Sequence, residues 1–431
     1  MSEDKQVFGV NMSGFFNAEI GFGEAIRNNL NALEKAGIPS KAINFNVKLK
    51  HRLNDTSISF DDNINNFPIN IVHVNMDSIP GFIQEKSSEY FKDKYNIGYW
   101  AWEMEDFPEI YTEYYKYYDE IWTCSKYCLD SISLKSSIPV INIPHAIDIA
   151  PEDIDVNFET GMSSDCFNFL FIFDYNSLIE RKNPLGLIDS YEKAFGVNNE
   201  KVKLILKTSI PNHHAKSKKI VLDRIGKNKS IIYKEEMLRR GELLALINKC
   251  DCYISLHRSE GFGLTMAEAM ALGKPVIATG YSGNLDFMNV NNSFLVKYKM
   301  IKHDYDLSVL PKNNFWSEPD VYHAAEMMKF VFENQDYAKA IGIQAKEDIK
   351  NYFSLESIGN KMKKRLNIIE ELILPEYSDD DKRISLLELE NKFNQQKINK
   401  LKSYSTIKLK LAFKNIQNKL FGKNRKYIWE D

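Results

Sequence analysis

The chain has 431 residues, of which 44% are hydrophobic and 27% charged, and its formal net charge is −3. This composition is typical of a soluble globular protein with two domains and an appendage. The sequence contains neither a signal peptide pattern nor an apolar run of about 18 residues, so we expect no membrane span. Five cysteines without paired CxxC spacing favour free thiols in a reducing cytoplasm over disulfides or a zinc site.

The first predicted unit is a strand, a glycine-bearing loop and a helix. The strand covers residues 7–12, the loop contains Gly14, Gly21 and Gly23, and the helix covers residues 25–36. This order predicts the first βα unit of a Rossmann-like domain. The glycines do not form GxGxxG, so a dinucleotide site is not expected.

Four further apolar stretches alternate with helical ones in this half of the chain, which predicts parallel strands in a doubly wound sheet. Trp102 and Glu103 follow one of these strands, and ligands in such sheets bind at the carboxyl ends of strands. An aromatic ring can stack on a pyranose, and a carboxylate accepts hydrogen bonds from hydroxyls. Both residues are candidates for an acceptor or sugar pocket. The alternative is a core tryptophan beside a glutamate that starts a helix.

A polar stretch over residues 151–165 predicts a linker, and a second series of apolar strands follows it. The expected boundaries are an N-terminal domain over residues 1–148, a C-terminal domain over 149–370 and a tail over 371–431. The sequence therefore predicts an α/β fold with two Rossmann-like domains that face a cleft.

Arg181 and Lys182 lie just after the first strand of the second series and just before a helix that opens with Pro184. Fixed cations can stabilise a phosphate leaving group that gains negative charge, and no DxD-type metal motif is present. We therefore expect catalysis without a metal ion or another cofactor. The alternative is a solvated pair of cations on a loop.

The central stretch of the sequence is residues 257–275, HRSEGFGLTMAEAMALGKP, which lies between two short apolar runs. It predicts a strand, a glycine loop, a short helix capped by Thr265, and another strand. The free amides that open a helix bind anions. Glu260 and Glu268 bracket this anion site, and carboxylates suit hydroxyl groups. A ligand with phosphate in the middle and polyols at both ends is a nucleotide sugar.

This stretch resembles the signature of retaining GT-B glycosyltransferases of family 4, which is two glutamates with seven residues between them around a GFG-type loop. The resemblance implies that Glu260 and the loop amides hold the transferred sugar and that Glu268 holds the ribose. The loop residues are Gly261, Phe262, Gly263, Leu264 and Thr265.

The same resemblance assigns further residues to the donor. It implies that Lys182 contacts the diphosphate, that Tyr233 lies against the base, and that Gly14, Gly21 and Gly23 fold over the donor phosphates and the acceptor. The arginine that the family places on the diphosphate falls near Asn176 or Ser177 here, and we expect Arg181 to supply the missing charge. It also implies that the last helix returns to the first domain. The segment around Trp102 resembles bacterial surface-polysaccharide transferases.

The tail differs in character from the rest of the chain. Residues 392–429 contain eleven basic residues and no acid, and Leu409, Phe413, Ile416 and Leu420 share one helical face. A basic amphipathic helix is typical of a peripheral anchor on anionic lipid. An oligomerisation helix is the alternative, and no recognised nucleic-acid-binding fold accompanies the charge.

These features together predict a retaining glycosyltransferase, a hexosyltransferase that uses a UDP- or GDP-sugar and a glycan, glycolipid or protein-linked acceptor. The expected location is the cytoplasm, with the tail on the inner face of the cell membrane. Two alternatives remain open at this point. One is an epimerase or phosphorylase with the same cleft, and the other is a non-catalytic partner subunit with the same fold.

Overall fold

The structure is a computed structural model that describes residues 8–45, 53–60, 67–209, 214–303 and 314–377, with isolated positions between 392 and 399. Its described residues form two parallel β-sheets of six strands each and one antiparallel two-stranded sheet. Helices cover the sheets, so the predicted class of two α/β domains is confirmed. No helix in the described ranges combines the length and apolarity needed to cross a bilayer.

The first domain is built on a sheet with the strand order β2-β1-β3-β4-β5-β6. Its strands are β1 (Val10–Gly14), β2 (Ser40–Asn44), β3 (Ile69–His73), β4 (Tyr95–Trp100), β5 (Glu120–Thr123) and β6 (Val140–Asn142), and its helices are α1 (Gly21–Lys35), α2 (Ile79–Lys86) and α3 (Lys126–Ser133). In register, Val10 of β1 lies between Ser40 of β2 and Ile69 of β3. The edge strand β2 was not predicted, because only its last three residues are buried.

The second domain has the strand order β12-β11-β10-β7-β8-β9. Its strands are β7 (Phe167–Phe173), β8 (Val202–Thr208), β9 (Ile231–Glu235), β10 (Cys252–Ser255), β11 (Val276–Thr279) and β12 (Phe294–Val296), with a hairpin of β13 (Tyr298–Lys302) and β14 (Phe315–Pro319). Its helices are α4 (Ile179–Lys182), α5 (Pro184–Phe195), α6 (Ala215–Ile225), α7 (Arg240–Lys249), α8 (Leu264–Ala271), α9 (Val321–Glu333), α10 (Gln335–Phe353) and α11 (Leu355–Ile368). The central strand β7 is apolar along most of its length because both faces of the sheet are covered.

Helix α1 begins at Gly21, four residues before the predicted start, so Gly21 and Gly23 lie in its first turn and not in a loop. The reason is a close contact at the second glycine. A Cβ on Gly23 would lie 2.1 Å from the carbonyl oxygen of Ala18, so only glycine lets the preceding chain fold against the helix.

Helix α11 packs on α1 and thereby joins the end of the second domain to the first. A Cβ on Gly359 would lie 2.1 Å from the carbonyl oxygen of Ala32, which shows how closely the two helices approach. Lys363 Nζ donates to the carbonyl oxygen of Ala36 at 2.8 Å, and Arg365 forms an ion pair with the buried Glu120. The predicted amphipathic helix of the tail lies outside the described residues.

Candidate active site

The candidate active site is organised by the loop between β10 and α8. Gly263 has a φ of +95° in the left-handed region, and a Cβ there would lie 2.3 Å from the terminal methyl of Met266. Glycine is therefore required at this turn, and it is Gly263 that caps α8. The prediction that Thr265 is the cap was wrong, because the left-handed turn at Gly263 starts the helix two residues earlier. Thr265 lies in the first turn, where its hydroxyl accepts a hydrogen bond from Tyr253 at 2.8 Å.

The turn after β11 supports this loop from behind. Gly283 N donates to the carbonyl oxygen of Glu260 at 2.9 Å, and the amide of Glu260 donates to Ser282 Oγ at 2.8 Å. A Cβ on Gly283 would lie 2.0 Å from the carbonyl oxygen of Gly261, so no other residue fits there. The backbone around Glu260 is thus held by a second strand end, and its carboxylate has a defined direction.

Two cations predicted from the sequence meet the first carboxylate. Lys182 Nζ lies 2.5 Å from Glu260 Oε1, and Arg181 Nη1 lies 3.2 Å from Glu260 Oε2. Arg181 also donates from Nη1 to the carbonyl oxygen of Ser259 at 2.9 Å. All three charged side chains are mostly buried, so the loop brings two positive charges and one negative charge together at the strand ends.

The charges of this cluster shift the pKa values of its members. Burial alone would raise the pKa of Glu260, but the positive charges of Lys182 and Arg181 outweigh burial and lower the pKa to about 2. Burial would lower the pKa of Arg181, and the carboxylates of Glu260 and Glu103 raise it above its usual range. The Glu260 carboxylate is therefore ionised at neutral pH and lies between the Arg181 and Lys182 side chains.

Arg258 holds the cation segment in place and was not predicted from the sequence. Its amide donates to the carbonyl oxygen of Arg181 at 2.8 Å, and its Nη1 donates to the carbonyl oxygen of Glu180 at 2.5 Å. Its guanidinium also pairs with Glu318 at 2.7 Å. The only signal in the sequence was a cation two residues before Glu260, which did not reveal what it binds.

The first domain contributes Glu103 to the edge of this cluster. Glu103 Oε1 lies 3.7 Å from Arg181 Nη2, and its side chain is 33% exposed. Beside it is a cavity of about 230 Å³, lined by Asn75, Met76, Asp77, Trp102, Glu103, Tyr111, Asn176, Ser177, Leu178 and Arg181. Trp102 is only 4% exposed, and its indole donates to the carbonyl oxygen of Asp106 at 2.9 Å. Trp102 is thus a core residue that forms one wall of the cavity.

The second carboxylate, Glu268, has a different neighbour. Arg240 Nη1 lies 2.5 Å from Glu268 Oε1, and Arg240 Nη2 lies 3.2 Å from Oε1 of Glu24, a residue of the first domain. Burial raises the pKa of Glu268 above its usual value, because Arg240 lowers it by less and Glu24 raises it further. Arg240 was not predicted as a site residue from the sequence, and neither was its link across the cleft.

A cavity of about 150 Å³ lies beside this ion pair. It is lined by Glu19, Ile20, Gly21, Glu24, Arg27, Asp55, Leu238, Arg240, Leu243, Leu264, Thr265 and Glu268. A Cβ on Gly21 would point at Leu264 Cδ2 from 3.7 Å, so this glycine faces the start of α8 across the cleft. The starts of α8 and of α1 therefore line one cavity.

Eight predicted site residues line neither cavity. Lys182, Glu260, Gly261 and Gly263 belong to the charged cluster and the loop described above, and the other four have different surroundings. Gly14 and Gly23 serve close backbone packing, since a Cβ on Gly14 would lie 2.6 Å from the carbonyl oxygen of His73. Phe262 is buried against His145 at a ring distance of 5.0 Å. Tyr233 lines neither cavity, and its hydroxyl pairs with that of Tyr175 at 3.0 Å.

Two further observations concern sites elsewhere. A groove of about 980 Å³, lined in part by Asn142, Asp286 and Phe353, contains none of the predicted site residues. Within the described ranges, no cluster of three or more His, Cys, Asp or Glu side chains is arranged to hold a metal ion. The polar groups that suit a nucleotide sugar are concentrated around α8.

The part of the chain that carries most of this site matches a known sequence family. Residues 168–304 match the family described as glycosyl transferases group 1, and this region contains Arg181, Lys182, Glu260 and Glu268. No curated protein matches the chain.

Solved structures resemble the whole fold. HepE of Anabaena, solved in complex with UDP and glucose, has 12% identity and a TM-score of 0.58, with 84% of this chain and 100% of that chain covered. Sucrose-phosphate synthase of Thermosynechococcus elongatus has 12% identity and a TM-score of 0.60, with 84% and 99% covered. A glycosyltransferase of Rickettsia africae has 16% identity and a TM-score of 0.59, with 85% and 99% covered.

The chain has the GT-B fold of two Rossmann-like domains, as predicted. The family match on residues 168–304 supports the assignment of the protein as a transferase enzyme, specifically a glycosyltransferase. The fold agrees with that assignment.

Proposed function

We propose that the protein is a retaining glycosyltransferase of family 4 that moves a sugar from a nucleotide sugar to a glycan, glycolipid or protein-linked acceptor in the synthesis of surface polysaccharide or glycoconjugates. The observation that carries the proposal is the cluster of Arg181, Lys182 and Glu260 beside the first amides of α8. HepE of Anabaena was solved with UDP and glucose, which supports a UDP-sugar as the first donor to test.

In this proposal the donor lies along the start of α8. The amides of Leu264 and Thr265 have no partner one turn back in the helix, so they are suited to the diphosphate together with Arg181 and Lys182. These cations stabilise the charge that develops on the leaving nucleoside diphosphate. Glu260 accepts hydrogen bonds from the sugar hydroxyls, and Glu268 accepts them from the ribose.

The acceptor enters from the cavity beside Glu103. An acceptor hydroxyl attacks the anomeric carbon on the face from which the diphosphate leaves, and a phosphate oxygen of the leaving group takes its proton. The side chain of Glu103 borders both this cavity and Arg181, so it orients the acceptor hydroxyl. No metal ion takes part in this proposal.

A thermal-shift panel of UDP, GDP and ADP sugars tests donor binding, and release of free nucleoside diphosphate that depends on an added acceptor tests transfer. We expect one nucleotide to raise the melting temperature and its sugar conjugate to turn over. Donor turnover without dependence on an acceptor would favour an epimerase. A flat response to all three nucleotides would contradict the proposal.

We also propose, from the sequence of the tail, that Lys408, Lys410, Lys414 and Lys419 bind anionic lipid. Cations near such a surface contribute about 1 kcal/mol each. Replacement of these four by glutamine in the full chain is expected to abolish cosedimentation with vesicles that contain phosphatidylserine. Replacement of four exposed lysines of the second domain, Lys216, Lys219, Lys227 and Lys229, is the matched control. Equal pelleting of both variants would contradict the proposal.

A further inference from the structure

Three side chains of the first domain lie within hydrogen-bond distance of the carbonyl oxygen of Gly261, in the loop that carries Glu260. Ser125 Oγ donates to it at 2.6 Å, and Cys128 Sγ and Cys124 Sγ lie 3.3 Å and 3.5 Å from it. The single thiol hydrogen of Cys128 is shared with the carbonyl oxygen of Trp102, 3.1 Å away. All three side chains come from the end of β5 and the start of α3. This contact is therefore a clamp across the domain interface.

The two thiols of this clamp also contact each other. Cys124 Sγ and Cys128 Sγ lie 3.9 Å apart, and both side chains are fully buried. Ser125 caps α3 by accepting a hydrogen bond from the amide of Cys128 at 3.1 Å, so Cys124 precedes the helix and Cys128 lies in its first turn. A disulfide needs its sulfur atoms about 2 Å apart. Side-chain rotation of two neighbouring thiols can supply that approach.

The surroundings of the pair make one thiol the better nucleophile. Burial would raise the pKa of Cys128, but the neighbouring Cys124 thiol and the amide of Trp102, which donates to Cys128 Sγ at 3.4 Å, outweigh burial and lower the pKa below its usual value. The pKa of Cys124 is raised, chiefly by its hydrogen bond to Cys128 and then by burial. This asymmetry is typical of a dithiol in which one sulfur attacks and the other resolves.

We propose that Cys124 and Cys128 form a site of reversible oxidation that closes to an intramolecular disulfide when the domains separate. With a hydroperoxide as oxidant, the Cys128 thiolate attacks the peroxide oxygen and becomes a sulfenic acid, and water leaves after proton uptake. The Cys124 sulfur then attacks the sulfenic sulfur, so the S–S bond forms and a second water leaves. Two thiols and one hydrogen peroxide thus give one disulfide and two waters.

Oxidation changes the clamp directly, because it removes both thiol hydrogens and leaves only Ser125 as a donor to Gly261. The loop around Gly261 covers the thiols while the domains are in contact, so access for the oxidant requires an open cleft. A ligand that holds the domains together is expected to protect the pair. This protective effect rests on the proposed function, whereas the formation of the disulfide does not.

The sequence makes the disulfide easy to detect. Trypsin cleaves after Lys116, Lys126 and Lys135, so Cys124 lies in the peptide of residues 117–126 and Cys128 in that of residues 127–135. The full-length protein is treated with hydrogen peroxide, alkylated with iodoacetamide and digested without reductant. Mass spectrometry is expected to find these two peptides joined, and dithiothreitol is expected to separate them. Bound UDP is expected to slow the joining at least about fivefold.

Controls separate this inference from the proposed function. Cys166 is a partly exposed thiol outside the clamp, so Cys166→Ser is expected to leave the joining rate unchanged, whereas Cys128→Ser abolishes it. A thermal shift on the same sample reports whether UDP binds. If UDP does not bind, the proposal of a UDP-sugar donor fails. The joining of the two peptides in the absence of UDP still tests whether the disulfide forms. Separate alkylated peptides after peroxide would overturn the inference, and joining at an unchanged rate with UDP bound would overturn its dependence on separation of the domains.

The oxidised protein is also expected to lose about tenfold in acceptor-dependent nucleotide release, which is the factor for one net hydrogen bond. Activity should return on reduction. Unaltered activity of protein in which the disulfide has formed completely would contradict the expected loss of activity.

Discussion

The two glutamates at the ends of the signature loop have the same chemistry but opposite surroundings. Glu260 lies between two cations of its own domain, which hold its pKa near 2, whereas burial raises the pKa of Glu268 despite Arg240. Arg240 also contacts Glu24 of the first domain at 3.2 Å. The Glu260 end is therefore assembled within one domain, and the Glu268 end depends on how the two domains meet.

The different surroundings indicate different roles for the two glutamates, which the signature motif alone does not distinguish. A fully ionised carboxylate between two cations keeps those cations paired until a diphosphate arrives, and it then remains charged toward the sugar. The Glu268 carboxylate shares its arginine with the opposite domain. Ligand binding beside Glu268 is therefore coupled to the contact between the two domains. We therefore expect changes at Glu260 to affect turnover, and changes at Glu268 to affect nucleotide binding.

The largest expected effect follows from Glu260→Gln. Transfer should fall about 10³-fold, as for loss of a preorganised electrostatic contact. The affinity for UDP alone should stay the same or rise, because Arg181 and Lys182 no longer share their charge with a carboxylate. Acceptor-dependent nucleotide release and calorimetric titration with UDP measure the two quantities.

The matched control for this change is Glu333→Gln, which neutralises an exposed glutamate at the end of α9 in the same domain. It should alter neither quantity. If Glu260→Gln reduced UDP affinity as much as turnover, Glu260 would act on the nucleotide and the division between the two ends would be wrong.

The second expected effect concerns pH. The lowered pKa of Glu260 stabilises the fold above its ordinary value of 4.5, and this stabilisation is lost as pH falls toward about 2. The difference corresponds to about 3 kcal/mol in the free energy of unfolding. Urea unfolding of the wild type and Glu260→Gln between pH 6 and pH 3 should show the wild type losing its advantage.

Glu268 is expected to have the opposite effect on the pH dependence of stability in the same unfolding measurement. Its raised pKa means that the folded state binds the proton more tightly, so its contribution to stability is lost as pH rises through the window above 4.5. The wild type should therefore lose stability relative to Glu268→Gln as pH rises there. Equal slopes for both variants would show that the two surroundings do not differ as described.

The third expected effect is on ribose recognition. Glu268→Gln should weaken UDP binding about tenfold, because a hydrogen bond to a charged group is replaced by one to a neutral amide. The same substitution should have almost no effect on binding of 2′,3′-dideoxy-UDP, which lacks the hydroxyls. A tenfold loss with both nucleotides would place the role of Glu268 elsewhere.

Much of the Glu260 end could be predicted from the sequence. Arg181, Lys182 and Glu260 were each predicted to contact the donor, and the carboxyl ends of the neighbouring parallel strands β7 and β10 bring them to one edge of the sheet. The amides of α8 followed from the strand, loop and helix order. Only the cap was wrong, since the choice of Gly263 over Thr265 depends on a left-handed backbone angle.

The Glu268 end and the clamp could not be predicted in the same way. The contacts of Arg240 with Glu24 and of Ser125 with Gly261 join residues of different domains. No periodicity in the chain encodes the relative placement of two sheets. The glycines of the first loop show the same limit, because their residue type alone did not distinguish Gly21 at the cavity from Gly23 in backbone packing.

The smallest expected effect uses that pair of glycines. A methyl group on Gly21 meets only Leu264 Cδ2 at 3.7 Å, an ordinary contact, so Gly21→Ala should leave the melting temperature within a degree or two. It occupies part of a cavity of about 150 Å³ beside Glu268, so UDP should bind a few times more weakly, while transfer at saturating donor is unchanged.

Gly23→Ala is the matched substitution two residues further along α1. Its methyl group would lie 2.1 Å from the carbonyl oxygen of Ala18, so the backbone must shift and the melting temperature should fall by several degrees. Nucleotide affinity of the fraction that remains folded should change little, because Gly23 does not line the cavity. If the two alanines had the same effect on binding and on stability, Gly21 would have no role at the Glu268 end beyond that of an ordinary helix residue.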